Sequence, residues 1–508
     1  MNTLSSPAML IAICICLALY AGVILYFVIR GARRTKTMSD YATGTFQFSP
    51  AAIGLSLAAG MTSAATFIIN PGFVAYYGIS SFLSMAIFLP LGAMISLVIL
   101  SKQFRRVGNI IQAKTIAQWL GSRFNSEGFK LYIAFLSLLH LTFIVLICVG
   151  LTQVLSKALN ADVLYVLIGI VVFTFGYMMF GGANSMVYTN MIQALLKIVV
   201  AIIILASGYH FFIDGVGGLF SKLNVVDPML TKAFNPSSPL YRDFFEVVIC
   251  QFIVGIAIVC QPHIITRSML VKNDKDMNRY LTVSVLLLIL FFTVVFAGLY
   301  GRLVFPDLKY NGSPLPLDGV MSAYVVTAFK PAMSLVLVVG LIASGIATLE
   351  SLIQSISTTI TSDIIKTLSG KNELKNELMI NRVVIGLMAA ITIVVSYQQL
   401  MHPELSVGIL AQNGVYASFS AAFVPLLFGM FLKNVHKAAP IIASVVAILV
   451  HFSVYYGRLT PYMQGTVRNP GVAAAIAIMS SVAAGALVYF ITKKGFEYNL
   501  SKTKSVAA

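Results

Sequence analysis

Two charged residues stand inside otherwise apolar runs, Lys197 and Glu350. A charge in such a run is rare and costly, and it marks an ion path, a proton relay or a counter-ion. Lys197 lies about ten residues into its run, too deep for its stem to carry the ammonium easily to an interface. Glu350 belongs to SGIATLESLIQSISTTITSD, which carries two polar stripes at helical spacing. Ser344, Thr348, Ser351 and Ser355 form one; Glu350, Gln354, Ser357 and Thr361 form the other. Hydroxyl and carbonyl oxygens are hard ligands, suited to Na⁺-like cations. A packing seam between helices accounts for one stripe; two favour an ion or water-lined path. A third stretch, Gly54 to Gly78, is apolar yet carries Ser56, Thr62, Ser63, Thr66 and Asn70, and is interrupted by Gly54, Gly60 and Pro71-Gly72. Freed backbone groups are tolerated in a bilayer only where they line a cavity or sit within protein. A broken helix of this kind points to an ion and substrate site near the bilayer midplane. A kinked helix with small residues for close packing is the structural alternative.

The elements that must hold these groups are membrane helices. The chain has 508 residues, 58% hydrophobic and only 10% charged, where soluble domains carry roughly 25% charged residues. Its mean hydropathy is +0.91. An all-α polytopic membrane protein follows. At about 20 apolar residues per crossing, thirteen spans are expected: 8–29, 48–77, 79–100, 128–156, 163–182, 187–211, 245–266, 280–304, 333–365, 380–399, 405–432, 438–457 and 471–492. The loops 212–244 and 305–332 are long and richer in Pro, Asp, Asn and Ser, and the second should hold a short amphipathic helix around 318–330. No long polar segment suggests an added nucleotide-binding domain.

The net charge of +17 is topological. With the N-terminus outside, the cytoplasmic side collects 24 of the 34 Lys and Arg, the outside 9, and Lys197 lies within a span. That split obeys the positive-inside rule, puts the C-terminus in the cytoplasm and gives no reason to invoke nucleic acid. The first apolar run ends in Arg30, Arg33 and Arg34, a stop-transfer flank rather than a cleaved leader. Cys14, Cys16, Cys148, Cys250 and Cys260 lie in apolar runs away from any ligand spacing, and read as small buried hydrophobes. The six histidines are scattered over different spans, so an enzyme is not expected, and His263 reads as a helix end. A transporter-like sensor is a further alternative, and would need a signalling partner.

Three segments together resemble the sodium/solute symporter family, which includes the glucose, proline, pantothenate, sialic acid and acetate transporters. YMMFGGANSMVYTNMIQ (177–193) is similar to its Y-x-x-x-GG-x-x-A-V-x-x-TD-x-x-Q motif. QPHIITR (261–267) is similar to its QPH-I-x-x-R segment, and ATLESLIQSISTTITSDII (347–365) to ST-x-DS-x-L…S-x-x-x-x-x-DIY. The resemblance implies a LeuT-type fold of five helices plus five inverted, with one helix before and two after. Residues 1–47 would be the first helix and basic loop, 48–211 the first repeat, 212–244 an outer loop, 245–432 the second repeat and 433–508 the last two helices and tail.

By position, the resemblance implies a cation site at the carbonyls of Ala59, Thr62 and Ser344 and the side chains of Ala347 and Thr348. It implies a second ion or proton site around Asn190, Lys197, Glu350 and Ser351. Solute would contact Ser63, Thr66, Phe67, Phe143, Val254, Ile258, Gln412, Asn413 and Tyr416. Several residues depart from the family pattern. Ala347 replaces a hydroxyl and Asn190 an Asp, Glu350 returns a negative charge, and Lys197 stands where an apolar residue is usual. Phe143 replaces the arginine that sialic acid transporters use for a carboxylate. Two mechanisms follow. Either Na⁺ binds with Thr348 and the carbonyls while Lys197 pairs with Glu350, or Lys197 replaces the ion and transport is H⁺-coupled or uncoupled. No enzymatic cofactor is expected. The implied solute is a short carboxylate, amino acid or polyol, carried by a monomer in a prokaryotic inner or plasma membrane.

Overall fold

The computed structural model describes residues 7–506 apart from 112, 371–373 and 403–406. Among the described residues the only strands are Lys309–Tyr310 and Ser313–Pro314, paired antiparallel in the long loop near 305–332. Ten helices there are long and apolar enough to cross a membrane, and two bent helix pairs bring the number to twelve. The longest helix, Val163–Ser207, has 45 residues. At 1.5 Å per residue it would be about 68 Å long, over twice the ~30 Å hydrocarbon core. Its backbone leaves helical geometry at Gly182 (φ 57°, ψ −158°). The sequence count of thirteen divides the chain at this point. A Cβ at Gly182 would fall 2.7 Å from the Tyr41 ring, so the residue has to be glycine for φ and for space alike.

The first bent pair is Pro50–Met61 and Ala65–Tyr77, turned by 57°. Ser49 caps its start by accepting from the Ala52 amide (3.2 Å), and Pro50 sits where no N–H is needed. The break falls at Thr62, whose backbone is extended (φ −105°, ψ 115°). Ser63 restarts the chain: its Oγ accepts from Ala65 N at 3.1 Å and its carbonyl from Thr66 N at 3.0 Å. The stretch is broken as expected, but not by Pro71-Gly72, which lies inside the second half. Gly72 is there for contact: a Cβ would fall 2.0 Å from the Leu317 carbonyl oxygen.

The second bent pair, Phe245–Ile258 and Pro262–Leu270, turns by 56°, where the sequence reading has one continuous span over 245–266. Pro262 is the reason. It holds Gln261 extended (φ −68°, ψ 138°) and stops the preceding helix. The two broken elements begin at Pro50 and Phe245. Val163–Ser207 packs against Pro7–Ala32, Pro50–Met61 and Pro331–Thr359, and so forms the wall on which the first break rests.

Val320–Ala328 supplies the short helix expected near 318–330, and Gly215–Val226 adds one in the other long loop. Residues 405 and 406 of the expected 405–432 span lie outside the described residues; the helix runs from Val407 to Phe431. Cys14 is exposed on the outer, apolar face rather than buried, because Pro7–Ala32 turns one side away from the bundle.

Candidate cation and solute sites

The C-terminal end of Pro50–Met61 leaves its last carbonyls without helical partners. Two of them, Ala59 O and Thr62 O, converge on one side chain. Lys197, wholly buried, donates from Nζ to Ala59 O at 2.5 Å and to Thr62 O, with Thr62 Oγ1 at 3.5 Å. From the facing helix Pro331–Thr359, Thr348 Oγ1 donates to Thr62 O at 3.3 Å. The Phe291 ring lies 6.0 Å from the ammonium. The carbonyls of Ala59 and Thr62 and the Thr348 hydroxyl therefore come together as expected, and an ammonium lies at their centre. An ammonium offers three donors and no acceptor, which is what a cluster of carbonyls can satisfy. The other expected ligands are less engaged. Ala347 packs as a methyl against Ala59 and Ala194; Ser344, expected to offer its carbonyl, is buried with an unpartnered hydroxyl.

Of the residues expected at the second site, Asn190, Glu350 and Ser351 come together and Lys197 stays apart. Glu350, also wholly buried, accepts from Tyr177 OH (2.5 Å) and Gln193 Nε2 (3.1 Å) on Oε1, and from Thr189 Oγ1 (2.5 Å) on Oε2. Asn190 satisfies its neighbours with Nδ2 toward Glu350 Oε2 (3.0 Å) and Gln193 Oε1 (2.9 Å), and Oδ1 toward Arg267 Nη2 (3.1 Å). Arg267 also donates to Ser351 Oγ at 2.6 Å and to Ser56 Oγ at 2.8 Å. The sequence places Arg267 in a basic loop. In the structure it is 3% exposed, because the break at Gln261 turns its short helix back into the bundle. No direct Lys197–Glu350 pair forms; the carboxylate is held by hydroxyls and amides, with Arg267 as its nearest bridged cation. A buried charge needs this density of partners.

Most residues of the two polar stripes have partners. Thr348, Glu350 and Ser351 enter these clusters. Gln354 ties neighbouring backbone, donating to Ala42 O at 2.7 Å and Tyr41 O at 3.2 Å, and Thr361 donates to Asn381 Oδ1 at 3.1 Å. A polar cleft lined by Lys114, Thr115, Gln354, Ser355 and Thr358 ends on Arg267.

On the other side of the first break lies a cavity of ≈ 90 Å³. Ser63, Thr66, Phe143, Ile258, Gln412 and Tyr416 line it as expected. Phe67, Val254 and Asn413 do not. Phe67 packs edge-on against Phe291 at 5.7 Å, and Val254 is fully packed. Asn413 turns away to His451 Nε2 (2.9 Å) and Tyr456 OH (3.1 Å). Gln261 and Asn70 also line the cavity, and the sequence reading left both out of the solute site. The proline after Gln261 was the available signal for a helix break there. The Gln261 Oε1 is buried and unpartnered. No Asp, Glu, His, Lys or Arg appears among the lining residues.

The comparisons with known proteins bear on this geometry. A family model described as the sodium:solute symporter family matches residues 41–447. The chain belongs to the sodium:solute symporter family. It is similar to the sodium/pantothenate symporter of Escherichia coli (strain K12), 25% identical over 449 residues, 84% of this chain and 87% of the relative. It is also similar to the high-affinity proline transporter PutP of Bacillus subtilis (strain 168), 24% identical over 430 residues, 82% of this chain and 86% of the relative. Its fold matches that of a substrate-bound, outward-open Na⁺-coupled sialic acid symporter with a TM-score of 0.76 at 18% identity, over 94% of this chain and 98% of that one. The chain is a multi-pass membrane protein, a LeuT-type secondary transporter that couples solute uptake to a cation, and not an enzyme.

Proposed function

We propose that this transporter takes up a small organic acid or amino acid, driven by a Na⁺ gradient, by alternating access around the break at Thr62–Ala64. One observation supports this most. The break presents two opposite helix ends: carbonyls of Ala59 and Thr62 on one side, and the N-terminal turn beginning at Ala65 on the other, with Ser63 and Thr66 in the cavity wall. Carbonyl ends favour a cation and amide ends an anion, so one broken helix can bind ion and carboxylate next to each other. The donor set of Ala59 O, Thr62 O and Thr348 Oγ1 is all hard oxygen, as Na⁺ requires, and relatives named as sodium symporters point to the same ion.

The cavity limits the solute. It has no basic residue for a carboxylate, so the helix end and hydroxyls must serve, and its small volume favours a compact ligand. The neutral Gln261, Gln412, Asn70 and Tyr416 suit hydroxyl, amide or amine groups. Pantothenate and proline, the solutes in the relatives' names, enter a test panel with short hydroxy acids. The protein is expected to work as a monomer in a prokaryotic inner or plasma membrane, N-terminus outside and C-terminus in the cytoplasm. Uptake of the labelled panel into proteoliposomes tests this reading. Transport of at least one small acid or amino acid, blocked by Ser63→Trp, is expected; transport of large sugars alone would refute it.

A second reading has one observation in its favour, the ammonium of Lys197 in the ion's place. On that reading the cage needs no Na⁺, and replacing Na⁺ by choline leaves uptake unchanged.

A further inference from the structure

Lys197 stands one helical turn from a residue that touches a buried carboxylate, and makes no ion pair with that carboxylate. Gln193 precedes it by one helical turn on the same face, and the Gln193 amide lies 3.1 Å from Glu350. In a helix the Cα–Cβ bond leans toward the N-terminus, so the Lys197 stem leans toward Gln193. A four-carbon stem spans one turn. Ala59, Ala194 and Ala347, each beside the cage or one turn from it, pack together as methyls, with Leu55 against them. On the facing helix, Thr348 of the cage and Glu350 are two residues apart. Glu350 has no direct cation, and the four salt bridges among the described residues leave it and Lys197 apart.

Two positive charges cannot share the Ala59–Thr62 carbonyls, since like charges in a low-dielectric site repel strongly. We propose that Lys197 is a tethered competitor for the coupling cation: its ammonium holds the Ala59–Thr62 carbonyls until Na⁺ takes them, and it then crosses one helical turn to Glu350. This rests on the Na⁺-coupled reading above and adds what sets the ion's affinity. The lysine keeps the broken helix satisfied when no ion is bound. It also makes Na⁺ binding a displacement, so that the cage weakens toward Na⁺ without losing specificity. Glu350 is the acceptor that makes the displacement affordable.

The test is Na⁺ binding by purified protein in detergent, read as the Na⁺-specific rise in unfolding temperature over choline and by ²²Na⁺ retention. Ligands that bind the folded state raise its stability by mass action. Lys197→Met is expected to lower the half-saturating Na⁺ concentration at least tenfold. Lys197→Gln, which keeps donors for the carbonyls without the charge, is expected to do the same and covers the case in which the Met variant does not fold. Glu350→Gln is expected to weaken Na⁺ binding at least fivefold in the wild-type background and not in Lys197→Met. An unchanged or weakened Na⁺ affinity in both lysine variants overturns the proposal, as does the absence of Na⁺ binding in all of them. Choline replacement in the uptake assay separates the two ideas. Na⁺-dependent uptake with unaltered affinity in the lysine variants removes the competitor and leaves the symporter standing. Na⁺-independent uptake removes Na⁺ coupling itself.

Discussion

Replacing Glu350 by Gln keeps shape and removes one charge, and the structure dictates the cost. Each carboxylate oxygen accepts two donors: Tyr177 and Gln193 on Oε1, Thr189 and Asn190 on Oε2. An amide keeps one acceptor and must turn its nitrogen on the other pair. Facing Thr189 and Asn190, it lets Thr189 redirect its hydrogen to Met186 O at 3.1 Å. The Asn190 amide then meets another N–H, unless it turns over and leaves Arg267. Facing the first pair, it leaves a Gln193 hydrogen in the same position, and Gln193 is already committed to Tyr20 OH at 2.9 Å. One orphaned buried donor costs about 1–3 kcal/mol, and two or three charge-assisted bonds falling to neutral ones cost about 1 kcal/mol each. The total is about 4 kcal/mol. That is roughly three powers of ten in the folded-to-unfolded ratio. The assay can use a fluorogenic thiol probe, since Cys148, Cys250 and Cys260 are buried and free. Cys14 and Cys16, which are not buried, would be changed to Ser first. Glu350→Gln should react at clearly lower temperature than the parent. Glu350→Gln with Arg267→Gln should lose less than the sum of the two, because the charges compensate one another. An unchanged midpoint in Glu350→Gln would show that the carboxylate is not the hub described.

Other positions give independent checks. Gln412→Leu should raise the KM for solute about tenfold with little change in Na⁺ response, measured as initial uptake rates; an unchanged KM would place the solute elsewhere. A Cβ at Gly298 would fall 2.0 Å from the Pro71 carbonyl oxygen, so Gly298→Ala should cost about 1–3 kcal/mol through overpacking and depress uptake in protein that still reaches the membrane. Arg105 donates from Nε to Val271 O at 2.5 Å and also to Lys272 O and Asp274, whose side chain is 95% exposed. Such an exposed partner contributes at most about 1 kcal/mol. Asp274→Ala should therefore leave the unfolding temperature nearly unchanged, while Arg105→Ala lowers it and Arg105→Lys does not restore it.

Much of the site was legible because a charge in a bilayer has few excuses. Lys197 and Glu350 stand out by position alone, and both lie at the centre of the structure's polar core. The broken stretch was legible from its polar residues, but the break itself sits at Thr62–Ser63, where no glycine or proline marks it. Pro71 and Gly72 looked like the interruption and are instead tolerated by helix start and close packing. Arg267 was hidden by its surroundings: adjacent to Lys272, Lys275 and Arg279 it counts as topological charge, and only the bend at Gln261-Pro262 carries it inward. Which acceptor Lys197 would choose, carbonyls or carboxylate, depends on three helices meeting within one turn, and no local pattern records that. For the solute side, Phe67, Val254 and Asn413 share helices with true lining residues. Asn413 faces away by ordinary helical rotation, since Gly408, Ala411, Gln412, Val415 and Tyr416 share one face of Val407–Phe431, while Phe67 packs on Phe291 and Val254 is fully buried.

Paired fluxes test the central claim most directly. Proteoliposomes holding the purified protein would be given labelled solute and ²²Na⁺ together, each with and without the other. A Na⁺-coupled transporter built around the Ala59–Thr62 carbonyls predicts that solute accelerates Na⁺ entry, that Na⁺ accelerates solute entry, and that Thr348→Val weakens both. Solute uptake at full rate with no accompanying Na⁺ movement would contradict it.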